Sequence, residues 1–322
     1  VITRSNFRPA WWLPGPHLQT LYPSLFRKRQ SPPLTRQRVE LPDGDFVDID
    51  WTDGDHRKVV LVLHGLEGSL DSHYTGGLLC ALQQQGYRAG LMYFRGCSGE
   101  LNRLPRSYHS GDTADLDYVI QTIKRGQADA EIAAAGFSLG GNVLLKWLGE
   151  QGDAAVVTRA IAISVPLDLD QAAIKLGQGL SRIYQRHLLQ RLRQSVTARF
   201  SRHTAIYPLE RLPELDSFRK FDNAITAPLH GFRDVDDYYA QSSSKQFLRA
   251  IRTPTLLIQA LDDPFLPPQA LPGEDELGPA VTLELSRHGG HVGFIAGPSP
   301  LQPCYWLEQR ILQALKTHYP AA

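Results

Sequence analysis

The chain has 322 residues, with 34 Lys and Arg against 33 Asp and Glu and a formal net charge of +1, so no overall field points to nucleic acid or an acidic partner. At this length about three quarters of the unfolded surface can be buried, enough for one α/β domain with an insertion or for two smaller domains. Three cysteines (Cys80, Cys97, Cys304) are too few and too odd for a disulfide framework and suit a reducing cytoplasm, while no apolar run approaches the roughly 18 residues of a membrane span.

The opening stretch "FRPAWWLPGPHLQTLYP" is aromatic but broken by Pro9, Pro14, Pro16 and Pro23, which excludes the continuous apolar core of a signal peptide. The chain starts on Val1 rather than methionine, so a short preceding piece is expected. "RVELPDGDFVDIDW" (38–51) reads as two alternating strands turning at Asp43-Gly44. "KVVLVLH" (58–64), "RAGLMYF" (88–94) and "AVVTRAIAIS" (155–164) read as buried parallel strands. From about 168 to 248 this alternation stops, and 171–203 is helical in pattern. Strands resume with "TPTLLIQAL" (253–261) and "AVTLELS" (280–286), and "CYWLEQRILQALKTH" (304–318) closes the chain as an amphipathic helix. The order predicts a mostly parallel sheet with helices on both faces. Residues 1–167 and 249–322 then form the two parts of the core. The block 168–248 is expected to be an inserted helical cap, the plainer alternative being an elaborated crossover with no part in substrate choice.

The sharpest local signal is "EIAAAGFSLGGNVLL" (131–145). A strand ending at Phe137 and a helix starting at Leu139 put Ser138 on a tight turn, flanked by Gly136 and Gly140 as G-x-S-x-G. A glycine-rich turn with an incidental serine would give the same letters, but the strand-to-helix context favours a nucleophile raised at a helix N-terminus. A serine hydroxyl needs a base, and the base needs an acid. On this kind of sheet the acid and then the histidine follow the serine in sequence. "LDDPFLP" offers Asp262 and Asp263 after one strand, and "RHGGHVGF" offers His288 and His291 after the next. Aspartates before proline also make ordinary turns. Asp263 is favoured because it lies four residues before Pro267, and His291 because it precedes "VGF" and has Gly289 and Gly290 to fold the loop back. "LHGLEGS" (63–69) follows the first central strand, so the N–H groups of Leu66 and Leu139 are the expected oxyanion donors. H-G-G-H is not a helical metal pair and has no evident third ligand, so neither metal nor cofactor is expected.

These residues resemble the YheT-like branch of the α/β-hydrolases, the AB hydrolase 4 family of the AB hydrolase superfamily. The likeness runs through "GPHLQTLYP", "HGLEGS", "YFRGCSGELNR", "YHSGDTADL", "GFSLGGN", "GFRDVDDYY", "DDPF" and "HGGHVGF", nearly the whole chain. The resemblance implies an α/β-hydrolase fold and a serine hydrolase cleaving carboxylic esters, with Ser138, an aspartate of "DDPF" and His291 as the triad. Its eukaryotic members imply lipid or phospholipid esters, but they carry membrane segments that have no counterpart here, so the resemblance does not extend to a membrane-anchored role. A small-molecule or lipid ester is therefore the expected partner, with peripheral membrane contact open and oligomeric state unread. A thioesterase or acyltransferase using the same triad is the alternative within enzymes, and a non-catalytic ligand-binding protein the alternative outside them.

Three further features stay unassigned. Cys97 is a rival nucleophile without an elbow or ordered partners. His109 and Asp112 are expected to tie a loop to a helix start, with Asp112 as the N-cap. Residues 171–202 hold seven basic side chains (Lys175, Arg182, Arg186, Arg191, Arg193, Arg199, Arg202) and no acidic one. They form either a solvated face or a surface that steers anionic substrates, with Arg186 and Arg193 the pair expected to matter.

Overall fold

The computed structural model describes residues 1–316. Nine strands form one sheet: β1 (Ile2–Arg4), β2 (Thr35–Glu40), β3 (Phe46–Trp51), β4 (Asp55–Leu63), β5 (Tyr87–Met92), β6 (Glu131–Phe137), β7 (Val157–Ile163), β8 (Thr255–Ala260) and β9 (Val281–Ser286). Their order across it is β1-β9-β8-β7-β6-β4-β5-β3-β2. Pairing is parallel except where β3 meets β2 and β5. The expected 38–51 hairpin is β2-β3, closed by Leu41 N–H donating to Asp45 O at 2.8 Å with Gly44 at φ 84°.

A parallel sheet covered on both faces explains the unbroken apolar runs. On β4, Val59, Leu61 and Leu63 enter one core while Val60 and Val62 enter the other. The first core is closed by α3 (Ala114–Gly126) and α4 (Leu139–Gln151), the second by α2 (Thr75–Gln84) and α10 (Trp306–Lys316). Burying each such Val or Leu contributes about 1.5–3 kcal/mol.

Between β7 and β8 lie α5 (Leu169–Leu176), α6 (Ser181–Phe200), α7 (Phe218–Phe221), a π turn (Asp222–Thr226), α8 (Ala227–Leu229) and α9 (Val235–Ser242). These helices pack around a small core of their own, with Leu189, Val196 and Phe200 of α6 against Leu212, Phe221 and Ile225. The single helical run expected over 171–203 is divided, because Gly177 ends α5 and Gly179 takes φ +50° before α6 begins.

Three elements depart from the sequence reading. β1 holds only three residues and pairs with β9 at the sheet edge. α1 (Pro16–Phe26) forms despite its prolines, since Pro16 occupies the first turn, where a missing N–H costs nothing. A hairpin of β10 (Ile295–Ser299) and β11 (Gln302–Tyr305) precedes α10 and takes the first two residues of the expected closing helix. The last two residues of that expected helix, 317–318, lie outside the described residues.

Candidate active site

The elbow at Ser138 is built by glycines that nothing larger could replace. A Cβ on Gly136 would lie 2.6 Å from Gly140 O, and one on Gly140 would lie 2.5 Å from His64 O. β6 and the start of α4 therefore approach backbone to backbone, and Ser138 is forced to φ 51°, ψ −118°, a conformation that costs a non-glycine residue of order 1–3 kcal/mol. Its N–H donates to Ile163 O at 2.8 Å, tying the turn to β7.

Three sequence-predicted side chains meet there. Ser138 Oγ lies 3.0 Å from His291 Nε2, and His291 Nδ1 lies 2.9 Å and 3.2 Å from the two carboxylate oxygens of Asp263. All three residues stand at carboxyl ends of strands, where sites on open α/β sheets collect. With Nδ1–H donating to the carboxylate, Nε2 is left as an acceptor for the serine hydroxyl. Asp263 is almost fully buried and also accepts the Phe265 N–H at 2.8 Å. The Phe265 ring stacks on the imidazole at 3.8 Å, holding its plane.

Asp262 and His288 have a separate task. Asp262 accepts the Gly290 N–H at 3.0 Å and pairs with the exposed His288 at 3.3 Å, bracing the loop rather than touching Ser138.

The loop of residues 64–68 passes beside the serine: a Cβ on Gly65 would lie 3.4 Å from Ser138 Cβ. Among the described residues, neither the Leu66 N–H nor the Leu139 N–H donates to a protein acceptor. His64 anchors the loop from beneath, sharing a 2.7 Å hydrogen bond with Gly65 O and accepting the Phe94 N–H at 3.1 Å. Burial lowers its pKa to about 4, so the ring stays neutral.

Several supporting residues escaped sequence reasoning. Thr20 Oγ on α1 accepts the His291 N–H at 2.9 Å, and Gln19 bonds both N–H and C=O of Ile295 at 2.7 and 3.0 Å. Helix α1 thus clamps the loop that carries His291. Glu67, at φ 52°, is held from two sides: its N–H donates to Tyr108 Oη at 2.7 Å, and that hydroxyl donates to Glu67 Oε1 at 2.8 Å. From α6, Ser195 donates to Glu67 Oε2 and Arg191 donates to Glu67 O. The motif stretches "HLQT" and "YHSGD" were the available signals, but nothing local says which distant loop they brace.

The serine opens into a cavity of about 720 Å³, roofed by α5 and α6 and walled by apolar side chains such as Leu169, Leu176, Leu188 and Ile225. Of the seven bases in 171–202, Arg191 and Arg199 line it. The expected pair does not: Arg186 is exposed away from the wall, and Arg193 donates to Leu215 O at 2.8 Å because α6 turns that face onto its own small core. Cys97 does not line the cavity, and desolvation pushes its thiol well above the usual range. Asp112 is not an N-cap; Thr113 precedes α3, and the Asp112 carboxylate is drawn instead to Arg106 at 2.7 Å. The three cysteines are free thiols. Among the described residues no cluster of three His, Cys, Asp or Glu side chains could hold a metal.

A parallel sheet with a serine elbow, followed in sequence by an acid loop and a histidine loop, is an α/β-hydrolase arrangement. A family model described as the alpha/beta hydrolase fold matches residues 58–298, and the chain belongs to that family. It is 42% identical to the Escherichia coli protein named "Putative esterase YheT", over 98% of this chain and 95% of that one. It is 28% identical to human phospholipase ABHD3, over 99% of this chain and 81% of that protein. Among solved structures, a Pyrococcus furiosus esterase, Pf2001, superposes with a TM-score of 0.57 at 18% identity, covering 90% of this chain and 97% of that one. That last likeness concerns the fold alone. No helix among the described residues is long and apolar enough to cross a membrane.

Proposed function

We propose that the protein is a serine esterase that cleaves carboxylic esters carrying an apolar acyl chain, through an acyl-enzyme intermediate. One observation carries the reading: His291 stands between Ser138 Oγ at 3.0 Å and Asp263 at 2.9 Å, at the floor of an apolar-walled cavity. Ser138 Oγ attacks the ester carbonyl while its proton passes to His291 Nε2. Asp263 steadies the resulting imidazolium and keeps Nδ1 protonated. The carbonyl oxygen, now an oxyanion, accepts from the Leu66 and Leu139 N–H groups, which have no competing protein acceptor among the described residues. Collapse expels the alcohol, protonated by His291, and water then repeats the sequence on the acyl-serine. Residues 168–248 act as the cap, sheltering the acyl chain beneath α5 and α6. The relatives named phospholipase and esterase fit this chemistry, and the three free cysteines fit a cytoplasmic setting.

A panel of p-nitrophenyl esters of rising chain length tests the reading. Wild-type protein hydrolyses them, and Ser138→Ala, His291→Ala and Asp263→Ala each lose several orders of magnitude. Turnover that survives all three substitutions removes the triad from the reaction.

A further inference from the structure

Helix α1 wears its amphipathicity inside out at one face. Gln19 and Thr20 are buried against the loop that carries His291 and Pro23 is buried as well, whereas Leu18, Leu21, Leu25 and Phe26 face outward. Leu21 and Leu25 sit on the cavity mouth, opposite Ile183 of α6. The two helices are joined at their starts, where His17 Nδ1 and Tyr184 Oη share a 2.9 Å hydrogen bond, so Leu180 and Ile183 extend the same apolar face. The β10-β11 hairpin continues it on the other side. Tyr22 donates to Pro300 O at 3.2 Å, beside the exposed Leu301, and Trp11 donates to Pro298 O at 2.9 Å. Leu25, Phe26, Leu180 and Ile183 are each 59% exposed or more. Exposed apolar side chains gathered beside a cavity mouth mark an interaction site rather than ordinary surface.

Charge names what covers it. Residues 1–34 contain Arg4, Arg8, Arg27, Lys28 and Arg29 and no Asp or Glu, and residues 171–202 contain their seven bases and no acid. The segments that supply α1 and α6 hold twelve of the chain's 34 basic residues and none of its 33 acidic ones. Of these twelve, Arg4 lies on β1, Arg27 is paired with Glu308 and Arg193 turns inward. Asp71, at the rim, is already paired with Arg29 at 2.7 Å. Lys28, Arg182 and Arg186 are exposed and form no ion pair among the described residues. Apolar side chains flanked by unpaired cations are the composition of a surface that rests in the headgroup region of an anionic bilayer.

We propose that the α1–α6 face docks the enzyme on an anionic phospholipid surface with the cavity mouth against the lipid. A lipid ester then passes from the bilayer to Ser138 without crossing water. The proposal takes its purpose from the esterase reading, but docking itself needs no turnover.

Cosedimentation with vesicles of phosphatidylglycerol and phosphatidylcholine in equal parts tests it. Wild-type protein and Ser138→Ala are expected to bind equally at low salt, to be released by added salt, and to bind phosphatidylcholine vesicles weakly. Leu18→Asp with Phe26→Asp, both outside the cavity wall, weakens binding at least about tenfold while thermal stability and hydrolysis of a water-soluble p-nitrophenyl ester stay at wild-type values. Arg182→Glu with Arg186→Glu gives a comparable loss, confined to the anionic vesicles. No wild-type binding, or undiminished binding by the Leu18/Phe26 variant, overturns the proposal. So does a dimer in solution that this variant abolishes in the absence of vesicle binding, which makes the face an interface between copies. Binding alongside an active Ser138→Ala sinks the triad alone; esterase activity without binding sinks the docking face alone.

Discussion

Tyr108 offers a direct way to loosen the proposed oxyanion site without touching substrate. Its hydroxyl accepts the Glu67 N–H at 2.7 Å and donates to Glu67 Oε1 at 2.8 Å, while its ring is buried and stacks on Phe94 at 5.1 Å. Tyr108→Phe keeps the ring and its packing and removes both bonds. Glu67 is only partly buried, so its N–H can turn to cavity water and each lost bond costs about 1 kcal/mol. Glu67 sits at φ 52°, next to the Leu66 amide, so relaxation of its backbone displaces that donor. Complete loss of one oxyanion donor costs about a hundred- to a thousandfold in kcat. A displaced donor is expected to cost about ten- to a hundredfold, with KM within about twofold, because the bonds serve the transition state rather than ground-state binding. Ser195→Ala removes the other hydroxyl donor to Glu67 but leaves its N–H bonded, so it should cost only a few-fold on the same principle. Steady-state kinetics with p-nitrophenyl butyrate and a thermal melt separate the effects. A Tyr108→Phe protein that melts lower yet keeps its kcat refutes the link between this clamp and the oxyanion site.

Other outcomes follow from the same geometry. Asp263→Asn should lower kcat by about four orders of magnitude through loss of the imidazole's tautomer partner, whereas Asp262→Asn, whose hydrogen bonds among the described residues go to Gly290 and His288, should cost about tenfold or less; the reverse ranking in ester kinetics moves the acid to Asp262. Thr20→Val leaves the buried His291 N–H unpaired, so unfolding in urea should show a loss of about 1–3 kcal/mol together with a reduced kcat. Burial raises the Asp222 carboxyl from 3.8 to about 6. Because the folded value is the higher one, its contribution is fully present below about pH 4 and is lost as pH rises through 6, by up to about 3 kcal/mol. Asp222→Asn should therefore be more stable than wild type at pH 8 and indistinguishable from it at pH 4 in denaturant titrations.

The legible part of this molecule is its local part. The elbow declares itself because strand, glycines, serine and helix are contiguous, and the β4 and β6 runs are read from their own residues. β1, α1 and the β10-β11 hairpin were missed because each is stabilised from far along the chain. β1 exists by pairing with β9, and α1 survives Pro23 because Gln19 and Thr20 are bonded to residues 291–295. The bases of 171–202 were visible as a group, but which of them face the cavity depends on how α6 rolls onto its own core. Asp112 likewise follows its charge partner, Arg106, rather than the capping preference of its type.

The most direct measurement is mass-spectrometric mapping of the adduct formed with a fluorophosphonate. A single modification on the tryptic peptide containing Ser138, absent in Ser138→Ala and formed orders of magnitude more slowly in His291→Ala, is the result the triad predicts. An adduct on any other residue of the wild-type protein, or one that forms as fast without His291, contradicts it.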